Sequence, residues 1–190
     1  MIERADTPPR KRRRYVRSRE ANAYHEAGHA VVAHVLGIQV HYVRLDSEGK
    51  RAECRADTGF ECPAPDALLV RLAGSVADRI ADLTDHILDR QVVEIHIDRV
   101  ADTDWSDPQS VEMYDKLASA LGSDIATSAL SAYSAAGNDV ETAKVMVRDA
   151  EASAEVLLRE QWPFVEKLAL RLLEVGFVSG TEVRALGEVV

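Results

Sequence analysis

Apolar residues recur at helical spacing through most of this chain, and that rhythm predicts its elements. Residues 1–18 lack any such period: Thr7-Pro8-Pro9 runs into a cluster of arginines, which reads as a flexible basic N-terminal arm. A helix is expected from Arg19 to Leu36, with Gly37 as its stop. Ile38–Leu45 is partly alternating and rich in β-branched residues, so it reads as a strand, followed by a turn at Asp46–Gly49 and a weaker strand within Arg51–Phe60. Leu69, Ala73, Val76 and Ile80 share one face of a helix over Asp66–Leu83. Its small residues Ala73, Gly74 and Ala77 would admit a close neighbour, and the first helix, with Ala27, Gly28 and Ala30, is the natural one. Residues 84–104 are ambiguous, since Val92–Ile97 suits helix or strand.

Later boundaries are better marked. Asp107-Pro108 opens a helix that runs to Leu121 and ends at Gly122, and another continues through Tyr133. Gly137-Asn138-Asp139 opens a long helix to Gln161; Trp162-Pro163 starts the next, which stops at Gly176. Ser179-Gly180-Thr181-Glu182 is a capping box for a last short helix. The expected fold is mainly α, with a small β-hairpin beside the first helix, and residues 19–190 form a single domain.

The first helix carries the chemistry. His25-Glu26-Ala27-Gly28-His29 is an HExxH motif. Residues four apart lie on one helical face, so two imidazoles there can grip one Zn²⁺. The glutamate between them can take a proton from water, as hydrolysis requires. Small residues within the motif and the apolar run Ala30–Ala33 after it suit a buried helix, and they favour a metal site over two buried structural histidines. Two histidines leave the ion one protein ligand short, and position 35 is valine, so no third histidine follows closely. His34, His41, His86 and His96 read as ordinary surface or core histidines.

Composition narrows the setting. At 46% apolar and 5% aromatic residues, the chain has enough Ala, Val and Leu for a helical core. It shows no apolar run long enough for a membrane span and no signal peptide, so a cytoplasmic protein with no membrane partner is expected. Residues 1–20 hold eight basic against three acidic residues, whereas the remainder is strongly acidic, leaving net −9. Nucleic-acid binding is therefore not expected except through the arm. Cys54 and Cys62 have no usual zinc spacing and read as free thiols of a reducing compartment.

Ala23–Val32, with its HExxH, resembles the active-site helix of the FtsH-type ATP-dependent zinc metalloproteases of the AAA+ family. Leu72-Ala73-Gly74-Ser75-Val76-Ala77-Asp78-Arg79 is similar to a second helix of that family, and Ala152–Leu186 to its C-terminal helices. The segment Asp46–Phe60 departs from the family's glycine-rich strand, and the ATPase module and membrane anchor have no counterpart here. The resemblance implies a zincin-like helical peptidase domain, standing alone without the ATPase module. In that family the third zinc ligand is an aspartate opening a helix, roughly eighty residues after HExxH. Asp104 matches that place best; Asp102, Asp107 and Asp139 are its rivals, the last two with ready roles as helix caps. Asp78 either orients a ligating imidazole or is an exposed helix charge.

The implied function is ATP-independent, zinc-dependent hydrolysis of peptide bonds, with His25, His29 and Asp104 as metal ligands, Zn²⁺ as cofactor and Glu26 as general base. Strand Val40–Leu45 would bind an extended substrate by edge pairing. Unfolded proteins or peptides are the expected substrates, delivered by a separate ATPase or adaptor where needed, and a homo-oligomer is compatible with the sequence. The alternative is a non-catalytic zinc-binding interaction or regulatory module with a basic arm.

Overall fold

The computed structural model describes residues 18–48, 51–59, 62–83, 89–121 and 123–188. The arm up to residue 17 and His86 therefore lie outside the described residues.

Helix α1 spans Arg19–Val35, capped by Ser18, whose hydroxyl accepts from the Ala21 amide at 3.0 Å. The chain leaves it through Gly37 and enters β1, Val40–Leu45. Strand β2, Ala52–Ala56, pairs antiparallel with β1, Val43 opposite Cys54. Helix α2, Ala64–Ile80, is followed by α3, Asp89–Asp102, α4, Pro108–Leu121, and α5, Ser123–Ala135. The segment that suited helix or strand is thus helical. Val93, Ile97 and Val100, spaced four and three apart, are all buried against neighbouring helices, and this packing overrides their β-branched bias.

The long helix α6, Val140–Glu160, begins at Asp139, which caps it by accepting from the Thr142 amide at 2.8 Å. Helix α7, Trp162–Val175, ends at Gly176 in the left-handed conformation (φ 73°). A third strand that the pattern did not reveal, β3 at Phe177–Ser179, pairs with β1 before α8, Gly180–Gly187. Three residues are too short to show a period, and Ser179 doubles as the cap of α8.

The sheet order is β2-β1-β3. This corrects the expected role of β1: both of its edges are already paired, so a substrate strand could add only at an outer edge, such as that of β2. Two apolar clusters fill the interior. The first joins α1, the sheet, α7, α8 and one side of α2; the second joins α3, α4 and α5 with Leu68 and Leu72 of α2. Helix α6 gives its C-terminal half to the first and its N-terminal half to the second. Helices α1 and α2 touch through their small residues. A Cβ at Gly28 would lie 2.6 Å from that of Ala77 and 2.8 Å from the Ala73 carbonyl, so only glycine permits this approach.

Candidate metal centre

His25, Glu26 and His29 all point from the buried face of α1, with 6%, 9% and 6% exposure. The two imidazoles are perpendicular, with ring centres 4.6 Å apart. Each is fixed from behind by α2. His25 donates from Nδ1 to the Asp78 carboxylate at 2.9 Å, and His29 donates from Nδ1 to the Val70 carbonyl at 2.7 Å. In this tautomer both Nε2 lone pairs face outward, toward the Asp124 carboxylate. Asp78 is only 1% exposed, which decides its two readings: it orients His25 and is no surface charge.

The third carboxylate is Asp124. Its Oδ2 lies 3.6 Å from His25 Nε2 and 3.6 Å from His29 Nε2. These separations are too long for hydrogen bonds, yet short enough for one ion, at about 2.1 Å from each ligand, to reach all three. Burial alone would raise the Asp124 carboxyl, but the two imidazoles outweigh it and hold the group well below the usual carboxylate range. Among the described residues this is the one cluster of three or more such side chains whose ligand atoms lie close enough to share a metal.

Gly74 supplies an independent sign of fit. A Cβ there would run into His29 Nε2 and lie 2.6–2.7 Å from two atoms of His25. Helix α2 must therefore present bare backbone where the two rings converge. Two imidazoles and a carboxylate match the donor set of a zinc site that keeps an open position, with Glu26 beside it.

Asp104, the ligand expected from spacing, is not brought to the histidines. It lies exposed in the α3–α4 connection, where its Oδ1 accepts from the Ser106 hydroxyl at 2.6 Å and the Ser106 amide at 3.0 Å. These bonds hold its carboxyl below the ordinary value without any ion. Asp102 is exposed at the end of α3. Asp107 caps α4 through the Gln109 and Ser110 amides, and Asp139 caps α6, so both take the capping role foreseen for them. The sequence did carry a signal for Asp124: an aspartate in the first turn of a helix directly after Gly122.

The other histidines are apart from the site. His41 pairs with Asp57 at 2.7 Å on the surface, and His34 packs on Phe164. His96 departs from expectation. It is 1% exposed, yet neither ring nitrogen has a hydrogen-bond partner among the described residues. Cys54 and Cys62 are free thiols, as expected.

Two hollows meet at Glu26. One is a cavity of about 190 Å³ that also touches His29, Asp124 and the β2 residues Ala52–Cys54. The other is an open groove of about 1040 Å³ along His25, Arg44–Asp46 and Phe177. A chain lying along β2 would therefore cross the histidines with room on either side.

The chain is 30% identical over 197 aligned residues to the ATP-dependent zinc metalloprotease FtsH 2 of Sphaerobacter thermophilus. It is 29% identical over 205 residues to the protein of the same description from Sorangium cellulosum. This similarity supports an FtsH-related chain. The alignments cover 94% and 93% of this chain but only 28% and 33% of those proteins, so it spans about a third of their length or less. No family model matches it. None of the described helices is long and apolar enough to cross a membrane.

Proposed function

We propose that this chain is a zinc-dependent metallopeptidase whose residues 19–190 act as one peptidase domain in the cytoplasm. The observation that carries the reading is the convergence of His25 Nε2, His29 Nε2 and Asp124 Oδ2 beside Glu26. The relatives, both named as zinc metalloproteases, support it. His25, His29 and Asp124 would hold the ion, in place of the set with Asp104. Zinc, when bound, supplies Lewis acidity toward water and toward a scissile carbonyl.

The chain's own groups do the rest. Asp78 and the Val70 carbonyl keep both imidazoles in the ligating tautomer. Glu26, at the junction of cavity and groove, takes the proton of the attacking water and returns it to the leaving amine. The outer edge of β2 offers backbone pairing to an extended substrate, which favours unfolded segments and peptides. A separate ATPase or adaptor would deliver folded proteins.

Glu26→Gln tests this reading. It keeps a hydrogen-bonding side chain of the same size but removes the base. Cleavage of unfolded casein or quenched peptides should fall by at least about a hundredfold, with zinc content unchanged. Normal turnover by this variant refutes the mechanism. Zinc binding without any cleavage by the parent protein would instead identify a non-catalytic zinc-binding module.

A further inference from the structure

The cavity beside the metal centre contains one cation among its described lining residues, Arg71 of α2. Its Nη1 donates to the Ser131 hydroxyl on α5 at 2.9 Å, and its Nη2 donates to the Thr58 carbonyl after β2 at 3.0 Å. These two bonds plant a half-buried guanidinium between the loop after β2 and the helix that carries Asp124. Arg71 and Thr58 also line a neighbouring hollow of about 460 Å³, so they stand between it and the site cavity.

No carboxylate lies within ion-pair reach of this cation among the described residues, and its two hydrogen bonds leave three N–H donors uncommitted. Of the three acidic groups lining the cavity, Glu26 is the proposed base, and Glu53 and Asp124 face other partners. Glu53 is bound by Arg44 at 2.5 Å and by the Tyr42 hydroxyl at 3.1 Å. Asp124 faces the two imidazoles. Burial lowers the Arg71 pKa, partly offset by the field of Asp124, yet a guanidinium stays charged under any ordinary condition. A desolvated guanidinium with spare donors is a ready receptor for a planar carboxylate.

We propose that Arg71 makes this cavity a carboxylate-selective subsite, one that holds an acidic group of the substrate next to the metal centre. At about 190 Å³ the cavity is below the roughly 300 Å³ at which drug-sized pockets begin, so it suits one side chain or one chain end. The carboxylate is therefore that of an Asp or Glu side chain or that of a C-terminus. This inference rests on the peptidase reading for its substrate class, but it concerns binding and can be measured without turnover.

The test uses the zinc-loaded full chain carrying Glu26→Gln, so that peptides bind and persist. Binding of fluorescent peptides is followed by anisotropy in two matched pairs: Glu against Gln at a central position with both ends blocked, and a free against an amidated C-terminus. About tenfold or tighter binding is expected for the carboxylate member of one pair, and which pair responds identifies the source. Adding Arg71→Gln, which removes the charge, should erase that preference. Arg71→Lys should restore part of it. Equal binding within both pairs, or no binding at all, overturns the inference, as does a preference that survives Arg71→Gln. If the preference holds while the protein with Glu26 intact cleaves nothing, the subsite stands and the peptidase reading falls.

Discussion

The two apolar clusters differ in how they serve the metal centre. The first, built on α1, the sheet and α7, supplies both histidines and Glu26, and α2 packs against it through Gly28 with no room to spare. The second, built on α3, α4 and α5, supplies Asp124 alone, from the first turn of α5 with a side chain 46% exposed. One side of the site is thus rigid and preset, whereas the other reaches it through a single carboxylate. Across the site Arg71 of α2 donates to Ser131 of α5, and the Asp124 carboxylate faces both imidazoles, a join that a shared ion would tighten.

Removing that join should have the largest effect. Asp124→Ala is expected to lower zinc affinity by more than about a hundredfold, while Asp104→Ala leaves it unchanged; metal content after dialysis against a graded chelator distinguishes them. The reverse result would return the ligand to the α3–α4 connection and dissolve the contrast between the two sides.

Gly74→Ala attacks the rigid side. Its methyl group would collide with both imidazoles, so metal binding should be lost, with a destabilisation of about 1–3 kcal/mol seen in urea unfolding. A variant that binds zinc normally would mean that α2 can retreat, and that the preset side is softer than its packing suggests.

A milder probe of the same side is Asp78→Asn. It keeps the shape but removes the carboxylate that His25 donates to, and zinc affinity should drop by about 10–100-fold while the fold persists. Equilibrium titration with a competing dye reads this directly.

The smallest change tests the second cluster. His96 sits there with two unpartnered ring nitrogens, and burial, then the nearby Arg99, lowers its pKa. Its folded value lies below its unfolded one, so the unfolded chain binds the extra proton. Stability should therefore be lost as pH falls through the ordinary histidine range near about 6.5 and below. His96→Leu should raise stability by about 1 kcal/mol and flatten that acid limb in thermal melts. A less stable leucine variant would indicate that the imidazole has a role in holding α3.

How far the sequence could be read follows the same division. The HExxH helix and the caps at Asp107, Asp139 and Ser179 were legible because each depends on residues within a turn or two of one another, and the close approach of Gly28 to α2 because both helices carry a local run of small residues. Asp78 could be named as a candidate but not decided, since its burial depends on α1 packing against it. Linear spacing points to Asp104, whereas the fold brings Asp124 to the histidines, because that meeting depends on how three helices of the second cluster fold back, which no local pattern encodes. Asp104 satisfied a linear interval, whereas Asp124 satisfies distances in space. The central place of β1 was likewise hidden, because β3 is three residues long and arrives from the far end of the chain.

The anchoring of both imidazoles to one helix also sets an order of events. Val70 and Asp78 stand about two turns apart on α2, so once α1 docks there, both rings are aimed before any ion arrives. Metal capture then adds only the Asp124 carboxylate from the first turn of α5. Bound zinc would tie that turn to α1, and metal-starved protein should show faster amide exchange at the start of α5 than in α1.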